Sequence, residues 1–253
     1  MLSWIDDHLP LPPTSLALGP GSEAPGLVAA GGRVEPARLE EAYRKGIFPW
    51  YSAGQPVLWW APDPRMVLRV ADFHLSQTMR KTLRRFRRDV RAGRCELRFD
   101  SAFERVIDAC ARTPRAHQDG TWIVPEIVHA YTAWHRAGRV HSVETWQDGD
   151  LVGGLYFVGI GRMCFGESMF AHRSDASKIA LAAFVAAGRA RGVELIDCQQ
   201  NTGHLASFGA REMARDEFER RLATAVAAPP GADWTYDDSA WDLVLGDPDA
   251  TTT

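Results

Sequence analysis

The sequence predicts an α+β fold, a small N-terminal α/β domain followed by a larger α+β domain, and three observations predict it. Helical spacing of apolar residues dominates residues 75–136. Short alternating runs around an Asp148-Gly149 turn then read as antiparallel strands. Finally an apolar helix over 176–191 leads into one more strand at 193–199. With 45% hydrophobic residues in 253, the chain has ample material for a core, as one large domain or two smaller ones.

Taken in order, residues 10–36 are rich in Pro and Gly and read as loops around short extended pieces. Pro36 to Lys45 predicts a short helix, with Leu39 and Tyr43 on one face and Gly46 ending it. Two aromatic-proline clusters follow, residues 46–51 and 59–65, and then a strand at Met66–Val70. Leu75, Met79, Leu83 and Phe86 give the apolar stripe of a helix over 75–88. Phe103, Val106, Ile107 and Cys110 do the same for 99–112. Pro125 sits near the first turn of a helix that carries Ile127, Val128, Tyr131 and Trp134 and stops near Gly138.

Strands are expected at 140–146, at 151–160 (broken by Gly153-Gly154) and from Arg162, ending at Gly166-Glu167-Ser168. Asp148-Gly149 makes the hairpin turn. Three strands, a helix and a strand suit an acetyltransferase-like (GNAT-like) domain over 100–228. Residues 1–99 form the N-terminal domain, and the acidic 229–253 tail is expected to fray.

Composition excludes several classes. No run approaches a membrane span. The N-terminus carries acids where a signal peptide carries Lys or Arg, so it reads as mature sequence. Cys95, Cys110, Cys164 and Cys198 are scattered, which fits a reducing compartment and gives no zinc spacing; no metal is expected. No GxxxxGK[ST] is present, and Ala171–Ala176 holds no glycine-rich cradle for a pyrophosphate. Acyl transfer without coenzyme A or ATP needs a donor that is already activated, and an aminoacyl ester is one.

Charge is uneven. Residues 79–98 carry nine basic residues against Asp89 and Glu96, a net +7 in a chain of −3 overall, so the remainder is −10. Such a field can hold a polyphosphate backbone, or it can be a solvated amphipathic helix. Nine tryptophans are more than packing requires. Trp50, Trp59, Trp60 and Trp122 stand beside prolines or turns, where a ring can stack on a base, line a pocket or simply pack. In the strand Leu195–Gln199, alternation puts Asp197 and Gln199 on one face about 6.5 Å apart, with Cys198 on the other. Glu167 is a further carboxylate for the same cleft, or a surface turn residue.

The segments 43–50, 59–65, 141–144, 166–170, 176–178, 197–199 and 202–210 together resemble the leucyl/phenylalanyl-tRNA–protein transferase family, over about residues 4–225. The resemblance implies an enzyme that moves Leu, Phe and, less well, Met from tRNA to proteins starting with Arg or Lys, marking them for degradation in the bacterial N-end rule pathway. It implies a cytoplasmic monomer with no cofactor. By resemblance Asp197 and Gln199 are the central catalytic pair and Glu167 lies in the cleft. Leu155, Cys164, Leu181, Phe184 and Ile196 line or support the amino-acid pocket. Trp50 and Trp122 meet the 3′ adenosine, with Tyr43 and Tyr131 nearby. Arg80, Lys81, Arg84, Arg85, Arg87 and Arg88 face the acceptor stem. Some relatives carry Phe then Cys before the Gly-Glu-Ser; here Cys164 precedes Phe165, which exchanges the side chain facing the pocket.

The reaction expected is attack of a neutral α-amine on the ester carbonyl, with Gln199 holding the amine hydrogens and Asp197 orienting it. Two other readings stay open: a thiol acyltransferase or hydrolase using Cys198 and His204, and a non-catalytic RNA-binding protein.

Overall fold

The computed structural model describes residues 2–113 and 121–246. In chain order the elements are β1 (Ser3–Ile5), β2 (Leu27–Gly31), α1 (Pro36–Arg44), β3 (Phe48–Pro49), β4 (Leu58–Trp60), β5 (Arg65–Arg69), α2 (Gln77–Arg91), β6 (Cys95–Phe99) and α3 (Phe103–Arg112). They continue with α4 (Pro125–Arg136), β7 (Val140–Gln147), β8 (Asp150–Ile160), β9 (Met163–Ala171) and α5 (Ala176–Ala190). Last come β10 (Leu195–Gln199), α6 (Gly203–Ala206), β11 (Arg211–Met213), α7 (Arg215–Ala227) and α8 (Asp242–Leu245).

A four-stranded sheet in the order β1-β2-β4-β3 forms the N-terminal unit. A seven-stranded sheet in the order β11-β5-β10-β9-β8-β7-β6 forms the body. Its pairings are antiparallel except for β9 with β10. Both β5 and β6 lie within residues 1–99, yet they are strands of this large sheet. The chain reads as helix around residue 99 because Phe99, Phe103 and Val106 are spaced for it. The structure instead spends Cys95, Leu97 and Phe99 on pairing with β7 and starts α3 four residues later.

Each face of the large sheet buries a separate core. On one face α2 and α5 pack Met79, Leu83, Phe86, Ala183 and Phe184 against Leu68, Leu155, Phe157 and Ile196. On the other, α1, α3, α4 and α7 pack Tyr43, Phe103, Ile107, Tyr131, Trp134 and Phe218 against Val67, Tyr156 and Phe165.

Local chemistry explains the ends of the elements. Ser76 caps α2 by accepting the Met79 N–H. Asp148 and Gly149 both adopt positive φ, as a two-residue turn between twisted strands requires. The expected break of β8 at Gly153-Gly154 does not occur: the strand runs through. A Cβ at Gly153 would stand 2.5 Å from Ala176 Cβ, and one at Gly154 2.7 Å from the Val143 carbonyl. These glycines let the first turn of α5 and the neighbouring strand close on β8.

The expectation of a frayed tail is corrected for residues 234–245. Trp241, Val244 and Leu245 are buried in the α2/α5 core. Trp234 packs edge-on to Phe157 at 4.7 Å, with the Arg191 guanidinium over its ring. Acidic composition concealed these apolar anchors, whose partners lie far away in sequence. Residues 247–253 lie outside the described residues. Among the described residues, no helix is long and apolar enough to cross a membrane.

Candidate active site

A cavity of about 760 Å³ opens on the α5 face of the large sheet. The β9/β10 ladder is short, pairing only Cys164 with Ile196 and Phe165 with Asp197. Beyond it, Gly166–Met169 and Cys198–Gln200 both line the cavity. Phe48, Pro49 and Trp50 supply the wall from the N-terminal sheet, and Trp122 stands before α4. Leu68, Leu155, Leu181, Phe184 and Ile196 make an apolar floor.

Two β-bulges shape this cavity. On β10, Ile196 pairs Leu68, Asp197 pairs Val67, and Gln199 pairs Met66, so Cys198 is the extra residue. Paired residues of an antiparallel ladder share a face. Asp197 therefore sits with Val67 in the core behind the sheet, while Gln199 sits with Met66 and Ile196 on the cavity side. The expectation that Asp197 and Gln199 share a face is thus overturned, because the inserted residue shifts the alternation by one. Gln199 completes the bend at φ 55°, in the left-handed region. On β9, Gly166 pairs Phe157 and Ser168 pairs Tyr156, so Glu167 is the extra residue. Glu167 does not end the strand; it sits at a bulge inside it. That bulge also turns Met169 to the cavity, a lining residue that strict alternation hides.

Asp197 is fully buried and engaged by Arg65. The Arg65 Nε donates to Oδ1 at 2.8 Å and Nη2 to Oδ2 at 2.6 Å, with Arg65 itself 1% exposed. Asp197 Oδ1 also accepts the Gln199 backbone N–H at 2.9 Å, bracing the bulge. Arg65 Nη1 donates to the Gly46 carbonyl at 3.0 Å, and the guanidinium lies 4.8 Å from the ring centres of both Phe48 and Phe218. The carboxylate foreseen in the cleft instead lies behind the sheet and brackets the bend that carries Gln199. No motif marked Arg65 as its partner, although it closes the second aromatic-proline cluster. The Gln199 side-chain nitrogen is buried with no hydrogen-bond partner, leaving an amide donor at the cavity.

Glu167 lines the cavity and is held from behind. Tyr43 Oη donates to its Oε1 at 2.7 Å, and Tyr131 Oη lies 2.5 Å from Tyr43 Oη. Burial pushes the Glu167 carboxyl up to about 8, with the Tyr43 hydrogen bond opposing and Asp197 adding to the rise. Burial also raises both tyrosines well above their ordinary range, so they stay neutral. Tyr43 and Tyr131 do not line the cavity, contrary to a direct contact with a nucleoside; they lie beneath Glu167.

The other expected residues divide. Trp50, Trp122, Leu155, Glu167, Leu181, Phe184, Ile196 and Gln199 all line the one cavity. Cys164 is fully buried in the core below it, where burial pushes its thiol up, and Phe165 turns to the opposite face against Tyr43 at 4.9 Å. Cys198 faces away from Asp197 as expected, but the cavity lies on its side. Burial raises the Cys198 thiol, which leaves it protonated and a poor nucleophile. Gln200, Thr202, His204 and Leu205 complete the rim; no motif reading assigned His204 to this wall except in the thiol alternative.

The basic helix α2 is split. Arg87 pairs with Asp238 and Asp242, and Arg80 Nη1 donates to the Leu245 carbonyl at 2.5 Å. Both belong to the anchor of the C-terminal segment rather than to a free basic face. Lys81, Arg84, Arg85 and Arg88 are exposed.

Comparison with known proteins agrees with these features. Residues 67–223 match the family model of leucyl/phenylalanyl-tRNA protein transferase, and residues 32–63 match that of its N-terminal domain. The chain is 63% identical over 244 residues to the leucyl/phenylalanyl-tRNA–protein transferase of Methylibium petroleiphilum, covering 95% of this chain and 90% of that one. It is 61% identical over 250 residues to that of Leptothrix cholodnii, covering 98% and 96%. Among solved structures, a functionally unknown conserved protein from Staphylococcus epidermidis aligns at a TM-score of 0.36 and 11% identity, over 74% of this chain and 68% of that one. A score this low assigns no shared fold. With a family model spanning more than half of its length and relatives above 60% identity, this chain belongs to the leucyl/phenylalanyl-tRNA–protein transferase family.

Proposed function

We propose that the protein transfers Leu, Phe and, less well, Met from aminoacyl-tRNA to the α-amine of proteins that begin with Arg or Lys, marking them for degradation in the cytoplasm. It does so as a monomer without a cofactor. The observation that carries this reading is a cavity that joins an apolar floor to the Gln199 amide and the Glu167 carboxyl. The apolar floor suits the side chains of Leu, Phe and Met and penalises a charged one. Trp50 and Trp122, at the rim, suit stacking on the terminal adenosine. Gln199 offers a carbonyl oxygen to the amine hydrogens and free N–H donors to the oxygen of the attacked ester. Asp197 and Arg65 act from behind, by fixing the bend that carries Gln199. A cationic acceptor beside Glu167 draws its carboxyl into the ionised form, and the charge so formed favours a protein starting with Arg or Lys.

On α2, Lys81, Arg84, Arg85 and Arg88 are the side chains we assign to acceptor-stem phosphates. Residues 100–228 keep an acetyltransferase-like reading, supported by the parallel β9/β10 pair with α5 between them in sequence, beside the antiparallel β7-β8-β9 run.

The test mixes purified protein with tRNA carrying labelled Leu, Phe or Met and a peptide that begins with Arg, and counts label in the peptide. Transfer to the Arg peptide and not to a Met-starting peptide, without coenzyme A or ATP, is expected. Absence of transfer from every charged tRNA, despite binding, would leave an RNA-binding protein.

A further inference from the structure

We propose that Glu167, backed by Tyr43 and Tyr131, is the base that takes the proton from the α-ammonium of the acceptor protein, the two tyrosines being the positioning residues that set when it can do so. The proposal rests on the transfer reaction given above.

The geometry has a direction. An ionised Glu167 is acceptor-only, so Tyr43 must donate its one hydroxyl proton to Oε1. Tyr43 can then only accept along the 2.5 Å contact with Tyr131, so Tyr131 donates to it. Tyr131 also interacts directly with the carboxyl, so Glu167 and the two hydroxyls form one buried cluster in which each group polarises the next. Both tyrosines are fully buried, held in the core behind the sheet by Trp134 and Phe165. Other charged or titratable groups face Glu167 from two elements: Asp197 on β10 opposes its ionisation, and Arg65 on β5 favours it. Tyr51 acts electrostatically on Tyr131 in turn.

Gln199 cannot serve as this base, since an amide does not accept a proton near neutral pH. Asp197 is on the far side of its strand and committed to Arg65. Among the cavity-lining residues Glu167 is the one carboxyl. The step balances. The acceptor enters as an ammonium, and Glu167 takes one proton, leaving a neutral amine. The amine lone pair forms the C–N bond at the ester carbonyl, and the bond from that carbon to the ribose oxygen breaks. A second amine proton goes to the departing oxygen, giving an amide and a tRNA hydroxyl. The proton on Glu167 then returns to water through the open cavity. Because burial holds the carboxyl near 8, it is poised close to the α-amine it serves, where proton transfer in either direction is easy.

The test is the pH profile of kcat/KM for an Arg-starting peptide, in wild type, Y43F, Y131F and E167Q. The amine of the peptide titrates identically in all four, so any limb that moves belongs to the enzyme. Wild type should rise with pH. Removing the Tyr43 donor should move the rising limb up by about one pH unit, and Y131F should move it less in the same direction. E167Q should lower kcat/KM at least tenfold below about pH 8, where the amine carries its proton, and approach wild type at higher pH as solvent deprotonates the amine. An infrared titration of the carboxyl band absent from E167Q reads the same shift in the unliganded protein, independent of turnover. Unmoved limbs in both tyrosine variants, with the carboxyl band also unmoved, would overturn the proposal. Should Y43F fail to fold, Y131F and the infrared titration of wild type against E167Q decide. Absence of transfer by wild type would instead sink the transferase reading, and the two failures are distinct.

Discussion

Arg65 and Asp197, 132 residues apart in sequence, form a two-pronged ion pair in the core with both side chains at or below 1% exposure. The pair joins β5 to β10 and, through the Gly46 carbonyl, reaches the N-terminal wall of the cavity. It thereby ties both sides of the site to one charge.

Breaking that pair should cost stability and its removal should cost catalysis. We predict that R65M lowers stability by about 3–5 kcal/mol, because it strands a buried carboxylate. The double variant R65M/D197L should recover most of this, since apolar residues of similar volume replace the pair, yet lower kcat by about 10²-fold as the Gln199 bend loosens. Thermal melts and transfer kinetics check the two halves. A double variant with full kcat would show that Asp197 has no positioning role.

The thiol reading is tested by C198A. With the thiol held protonated by burial, transfer should stay within about threefold of wild type, and no acyl-enzyme should accumulate in a quench with labelled Phe-tRNA. Loss of activity in a folded C198A variant would restore the nucleophile.

Glu167 also makes stability depend on pH. Its carboxyl rises from the usual 4.5 to about 8 on folding, so the folded state keeps a proton that the unfolded chain releases between those values. The contribution is full below pH 4.5 and is lost as pH rises through 8. The melting temperature of E167Q relative to wild type should therefore climb between pH 5 and pH 9. A pH-independent difference would contradict the sign.

The two groups of arginines on α2 should behave differently. R84Q or R88Q should weaken tRNA binding and reduce the slope of log K against log salt by about 0.9 each if both meet phosphate of duplex RNA as they would of duplex DNA. R87Q should leave that slope unchanged and instead speed hydrogen exchange in residues 238–245, which Arg87 holds through Asp238 and Asp242. Equal effects on the slope would mean that the C-terminal segment leaves Arg87 when tRNA binds.

What was legible in the sequence was what short-range order encodes. The stripes Met79-Leu83-Phe86 and Phe103-Val106-Ile107-Cys110, the Asp148-Gly149 turn and the strand at 195–199 all act within a few residues of themselves. The side chains of the cavity were legible through the family resemblance, and most of them do converge.

The sequence by itself determined the mixed α/β class, the apolar faces of the helices and the family. Tertiary structure alone decided which way the chemical groups point. A bulge moves every later side chain by one face, and nothing local in Asp197-Cys198-Gln199 or Gly166-Glu167-Ser168 reveals it, because the count is made against the partner strand. In the same way Arg65 became the partner of Asp197, and Arg87 that of Asp238 and Asp242, through ladders and packing that bring distant segments together. Buried charge must find a counter-charge, and only the assembled core determines where it is found.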